Sequence, residues 1–265
     1  MSQGFVSSSA SLMLAMVHLP SISRSMVLNS ACLLVAHGSR DPRSQIALEH
    51  LAKLVSARSS LCIGTGVLEL APQPLHHQIE EFGRSAQVKG YQHLQILPLF
   101  LLPGVHVMED IPAEVETARQ KIEPCSTVEV LPYLGKFHPW KLLLNPVDEF
   151  LTSAQAGKIL LAHGSRREGA NQPIAQIAAQ LDALPAFWSV EPSLETQVTT
   201  WIKRGCQEIM ILPYFLFEGG ITDAIERQVQ QLQQQFPYVK LHLARPIGAT
   251  PALADLVVQL IQYSG

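Results

Sequence analysis

Short apolar runs alternate along the chain with stretches whose apolar residues recur at helical spacing. Cys32–Ala36 is one such run, and a turn leads from it to Ile46, Leu48, Leu51, Leu54 and Val55, spaced for one buried helix face. Lys158–Ala162 opens a second alternation of the same kind. The runs Leu94–Leu97 and Ile209–Leu212 read as apolar on both faces, as expected of parallel strands covered on both sides. Gly90 and Gly205 stand just after helical stretches, where a glycine stops a helix. This pattern predicts an α/β fold of parallel strands joined by crossover helices.

The pattern occurs twice. Leu34-Val35-Ala36-His37-Gly38-Ser39-Arg40 returns as Leu160-Leu161-Ala162-His163-Gly164-Ser165-Arg166, 126 residues on. Ile96-Leu97-Pro98-Leu99-Phe100-Leu101 returns as Ile211-Leu212-Pro213-Tyr214-Phe215-Leu216, 115 residues on, and Leu134-Gly135 before Pro139 returns as Ile247-Gly248 before Pro251. The order is kept while the spacing changes, so the chain reads as a tandem duplication. Two domains are expected, each a parallel β-sheet flanked by helices in three layers, and a length of 265 residues agrees at about 150 per domain. Their expected extents are 31–150 and 151–265, with the break between Asn145 and Gly157 and with Trp140–Leu151 closing the first half as a helix. Residues 1–30 hold nine serines, no Asp or Glu and Arg24 as their only basic residue. They are expected to form a disordered leader, with Met26 as an alternative start.

Composition narrows the class. With 47% hydrophobic and 15% charged residues, the chain buries a sizeable core rather than remaining disordered. A net charge of −3 gives no global field for nucleic acid or an anionic membrane, so an anionic ligand must be held locally. No apolar run reaches the length of a membrane-spanning helix. The four cysteines, Cys32, Cys62, Cys125 and Cys206, form no C-x-x-C pair, which removes support for zinc ribbons and cysteine-held iron–sulfur clusters and points to a reducing cytoplasm.

Ligands of open α/β sheets bind beyond the carboxyl ends of the strands. His37 follows the first strand, Glu69 the second (Gly66–Leu68), and His106 the third after the loop Leu102-Pro103-Gly104-Val105. Two imidazoles and a carboxylate suit Fe(II), Co(II), Ni(II) or Zn(II), and three protein ligands leave coordination positions open. A lone His after a strand is more often a structural residue than a ligand. Comparing the halves changes that balance, because His106 corresponds to Ile221 and Glu69 to Trp188, and only His163 persists in the second copy. Scaffold residues would be needed in both. His163, Gly164 and Ser165 are accordingly expected to serve the turn, with the His163 imidazole as a buried hydrogen-bonding partner.

Ser39, Arg40 and Arg43 are the candidate contacts for an anionic substrate. The Gly38-Ser39 turn would offer backbone N–H groups at a helix start and the arginines would offer guanidinium groups, with Arg166 and Arg167 at the equivalent place. Asp110 is expected to cap the helix after the His106 loop, with partnering a metal-binding side chain as the alternative. His76 and His77 are expected to be solvated, while His18, His50, His93, His138 and His242 show no convergent context.

His37-Gly38-Ser39-Arg40, Leu68-Glu69-Leu70-Ala71, the run from Leu97 to His106 and Asp110-Ile111-Pro112 together resemble the sirohydrochlorin chelatases. These belong to the class II chelatase family, which also includes protoporphyrin ferrochelatase. The resemblance spans about residues 31–265 in the long, two-copy form. It implies insertion of Fe2+ or Co2+ into sirohydrochlorin, a tetrapyrrole edged with carboxylates, on the way to siroheme or cobalamin. The metal is then a substrate, and no organic cofactor or ATP is implied. By resemblance, His37 and His106 handle the metal and accept the pyrrole protons, with Glu69 beside them. The second copy departs from the pattern at Ile221 and Trp188, so it is expected to form the opposite wall of a cleft, and fusion of the copies implies a monomer.

Two other readings stay open. A non-catalytic carrier of metal or tetrapyrrole would share the site and differ only in turnover. Phosphoryl transfer on His37 would use the adjacent turn and arginines, but its usual signature places Arg directly before His-Gly, where this chain has Ala36. A serine hydrolase is disfavoured, since no G-x-S-x-G elbow is present.

Overall fold

The computed structural model describes residues 30–122, 127–143 and 156–263. Strands β1 (Ser30–Ala36), β2 (Cys62–Val67), β3 (His93–Pro98) and β4 (Thr127–Val130) form a parallel sheet in the order β2-β1-β3-β4. Strands β5 (Gly157–Ala162), β6 (Leu184–Phe187), β7 (Glu208–Pro213) and β8 (Lys240–Leu243) repeat that order as β6-β5-β7-β8. The helices are α1 (Pro42–Ser56), α2 (Leu75–Val88) and α3 (Ile111–Ile122) in the first half, and α4 (Gln172–Gln180), α5 (Leu194–Lys203), α6 (Gly220–Gln235) and α7 (Pro251–Tyr263) in the second. The α/β class and the duplication are those the apolar pattern predicts.

Local chemistry explains where the elements depart from that pattern. Strand β2 begins at Cys62 rather than Gly66, and its glycines hid it: a Cβ on Gly64 would lie 2.5 Å from the Phe82 ring of α2, so the strand gives up side chains to let the helix pack. Gly90 and Gly205 follow α2 and α5 with φ of 89° and 86°, the left-handed helix stop expected of them. Ser30, expected in the leader, is buried as the first residue of β1. Residues 1–29 lie outside the described residues. So do 144–155, where the domain break was expected; of the expected closing helix, Pro139–Leu143 forms a 3-10 turn.

Both faces of each sheet are covered. Along β1, Ala31, Leu33 and Val35 face outward to α2 and α3, where Leu75, Ile79, Ile111 and Val115 complete an outer core. Cys32 and Leu34 face inward and join Leu160, Met210 and Leu212 of the second sheet in one continuous core. Helix α1 supplies Leu48, Leu51 and Val55 to it, and α7 supplies Leu253, Val257 and Ile261. Each fully buried side chain of this kind contributes about 1.5–3 kcal/mol, so the shared layer holds the two halves together. Ile46, expected on the buried face of α1, is instead 63% exposed. No described helix is long and apolar enough to cross a membrane.

Candidate metal centre

In the order β2-β1-β3-β4 the chain leaves β1 toward one edge and returns to its other side, so a crevice opens beyond the carboxyl ends of β1 and β3. The β1/β2 ladder continues past the strand ends. Leu68 N–H donates to the Ala36 carbonyl at 3.0 Å and Glu69 N–H to the His37 carbonyl at 2.8 Å, which sets His37 and Glu69 side by side. Gly38 makes this possible: its φ is +101°, and a Cβ there would lie 2.0 Å from the Glu69 carbonyl oxygen. From the third strand end, the loop runs into a single π-helical turn, His106–Asp110, closed by the Ile111 N–H donating to the His106 carbonyl. Such turns distort helices most often at functional sites.

The three side chains meet. His37 Nε2 and His106 Nε2 are 3.2 Å apart, His37 Nε2 is 4.0 Å from Glu69 Oε2, and His106 Nε2 is 3.9 Å from Glu69 Oε1. Ligands about 2.1 Å from a tetrahedral ion stand about 3.4 Å from one another, so small rotations suffice to close the triad on a metal. The outer nitrogens have acceptors beside them. His106 Nδ1 lies 2.6 Å from Asp110 Oδ2, and His37 Nδ1 lies 3.2 Å from the Gly38 carbonyl, acceptors that call for N–H on both Nδ1 atoms. The two Nε2 atoms then face each other across 3.2 Å, placed to offer their lone pairs to one metal cation.

This centre is open to its ligand. The side chains of His37, Glu69 and His106 are 50%, 50% and 34% exposed, with the Phe100 ring beneath both imidazoles. A cleft of about 630 Å³ adjoins it, lined from the first half by His37, Ser39, Glu69 and Leu70 and from the second by Leu216 and Phe217. The second copy thus supplies a wall of the cleft.

Two segments, residues 31–143 and 157–264, each match the CbiX family model. The chain belongs to the CbiX family. It is 26% identical over 238 residues to the sirohydrochlorin cobaltochelatase of Priestia megaterium, covering 85% of this chain and 76% of that one. The sirohydrochlorin ferrochelatase of Bacillus subtilis (strain 168) is 27% identical over 252 residues, covering 89% of this chain and 92% of the relative. Among solved structures, SirB from Bacillus subtilis with Fe3+ shares the fold with a TM-score of 0.72 at 23% identity, covering 89% of this chain and 95% of SirB.

Within this CbiX chain, the ladder corrects the alignment of the copies. Trp188 N–H donates to the Ala162 carbonyl and Ser189 N–H to the His163 carbonyl, both at 2.9 Å, so Glu69 corresponds to Ser189 and Trp188 to Leu68. Ile221, the counterpart of His106, is exposed near the start of α6. Both groups of three or more potential metal ligands among the described residues lie in the first half. His163 is exposed rather than buried, and its ring has no hydrogen-bond partner among the described residues; only its carbonyl is used, by Ser189. Asp110 is a partner of His106 and not the expected cap.

The proposed anion contacts part company. Ser39 lines the cleft while its hydroxyl accepts from Asp41 N–H at 3.0 Å, and Arg40 is exposed with no ion pair among the described residues. Helix α1 starts at Pro42, and Asp41 caps it by accepting from Arg43 N–H, so a carboxylate already occupies the terminus expected to draw an anion. Arg43 is committed elsewhere: it donates to Asp41 at 2.6 Å and, across the halves, to both oxygens of Asp223 at 2.7 and 3.0 Å.

The hydrogen bonds from Arg43 hold the Asp41 and Asp223 carboxyls below the usual aspartate range. A depressed folded-state pKa stabilises above the unfolded value, about 3.9, and that stabilisation fades as pH falls below it. Asp223→Asn should therefore lower the melting temperature at neutral pH and at pH 5 alike, with the gap to wild type closing once both carboxyls are protonated. A gap that grows on acidification would rule out this role.

Proposed function

We propose that this protein inserts a divalent metal, Fe2+ or Co2+, into sirohydrochlorin, with His37, Glu69 and His106 holding the incoming ion. The observation that carries the reading is the pair of inward-facing Nε2 atoms closed by Glu69 at the mouth of a cleft shared by the two halves. In this reading the metal rests on two imidazoles and a carboxylate, with positions left open for the ring nitrogens. Metallation of the ring releases two protons for each divalent ion taken up. As the ion leaves, each imidazole is freed to accept one of them, and Asp110 stabilises the imidazolium that forms on His106. Leu70, Leu216 and Phe217 offer apolar surface to the faces of the macrocycle, and Ser39, which lines the cleft, together with the exposed Arg40 beside it would contact its carboxylates. The metal is a substrate here and the chemistry asks for no organic cofactor.

We assign the two copies to residues 31–150 and 151–265, working as a monomer in a reducing cytoplasm. The described thiols Cys32 and Cys62 are free, which supports that setting. The deciding experiment mixes protein, sirohydrochlorin and Fe2+ or Co2+ without oxygen and follows the absorption change of metallation. A rate well above the protein-free control is expected. A rate equal to the control, with the tetrapyrrole still bound, would leave a carrier.

A further inference from the structure

A second cluster lies on α2, away from the His37 triad. His76, His77 and Glu80 each present one ligand atom, and these atoms lie within 4.8 Å of one another. The spacing follows from the helix: position 80 is four residues after 76 and three after 77, so all three fall on adjoining faces of one turn. The two rings stand edge to face with centroids 4.3 Å apart.

The orientation of His76 is what separates this group from a chance surface cluster. Its Nδ1 lies 2.8 Å from Oε2 of Glu114 on α3, and its backbone N–H donates to the same oxygen at 2.7 Å. That carboxylate calls for N–H on Nδ1 and leaves the Nε2 lone pair free, which is the arrangement Asp110 gives His106 in the first centre. Glu80 is only 5% exposed: burial opposes its charge, but the ion pairs with Lys121 and Arg84 outweigh burial and hold its carboxyl below the usual range. Lys121 Nζ sits 2.9 Å from Glu80 Oε1 on a half-exposed side chain. Arg84 Nη2 sits 3.2 Å from Oε2, so each carboxylate oxygen is paired with a cation on a long flexible arm that can leave it.

We propose that His76, His77 and Glu80 form a second divalent-cation site, with Glu114 orienting His76 and Lys121 yielding its place when the ion binds. Two imidazoles and one carboxylate select borderline ions such as Co2+, Ni2+ or Zn2+ over Mg2+ or Ca2+. The site is separate from the cleft, whose lining takes Gln78 from this helix but none of the three ligands.

Equilibrium dialysis of the full chain against Co2+ alone, without tetrapyrrole, tests this independently of the chelatase reading. His77→Ala is the primary variant, since the ring is exposed and makes no hydrogen bond among the described residues. It should lower the stoichiometry by one equivalent. The same loss should appear in a His37→Ala/His106→Ala background, where the one remaining equivalent disappears. Lys121→Gln should tighten binding of that equivalent by removing the competing ammonium. Unchanged stoichiometry in His77→Ala, or no Co2+ bound in the His37→Ala/His106→Ala background, would overturn the proposal. Equal retention of Mg2+ and Co2+ would overturn its ligand assignment.

Discussion

His37→Ala and His106→Ala should each lower the rate of metal insertion by about 100-fold or more, the cost of losing a proton acceptor that also binds the metal. Neither should unfold the chain. Both rings are substantially exposed, and their bonds to Gly38 and Asp110 are peripheral to the cores. His163→Ala is the internal control that the duplication supplies. Its ring follows β5 as His37 follows β1, but Ser189 and Ile221 stand where Glu69 and His106 stand in the first half. Activity and melting temperature of His163→Ala should both stay near wild type. The burial expected from sequence would have cost about 1–3 kcal/mol, but the exposed ring leaves no unpaired polar partner behind. Parallel rate measurements and thermal melts on the three variants check this. An inactive but well-folded His163→Ala, with His106→Ala near wild type, would place the chemistry in the other half.

The parts of this molecule that were legible in its sequence are those governed by short-range rules. Strands β1, β3, β5 and β7 are continuous apolar runs because both of their faces are buried, and the repeated His-Gly-Ser turn fixes where two of them end. His37, Glu69 and His106 could be singled out because each lies in the segment that leaves the carboxyl end of a strand, and the fold brings them together. What was missed depends on partners remote in sequence or on irregular backbone. Arg43 reads as a free cation, yet Asp223, its partner, is 180 residues away. Asp110 reads as a cap because a π-turn leaves no periodic trace, although that turn is what carries it under the His106 ring. Glu69 was paired with Trp188 because the segments after β2 and β6 differ in length, and only the backbone ladder reveals that its counterpart is Ser189. His76 looked solvated because Glu114, which orients it, lies on another helix.

Gly38→Ala should abolish metal insertion even though the alanine methyl touches no ligand atom. The φ of +101° is strained for any L side chain, and the new Cβ would come 2.0 Å from the Glu69 carbonyl oxygen, closer than any real contact. Backbone strain of this sort costs about 1–3 kcal/mol, and the clash can be relieved only by parting the ends of β1 and β2. That movement takes Glu69 away from His37 and opens the triad, where misplacement of about 1 Å is worth about 100-fold in rate. Gly164→Ala separates stability from chemistry. Gly164 has a φ of +83°, and its Cβ would lie 2.7 Å from Phe187 Cβ, so the second half should lose comparable stability. At a temperature where both variants are folded, Gly164→Ala should retain most of its activity and Gly38→Ala almost none. Melting curves paired with rates per folded molecule distinguish the two, and equal activity in both variants would mean that the spacing of His37 and Glu69 does not govern the reaction.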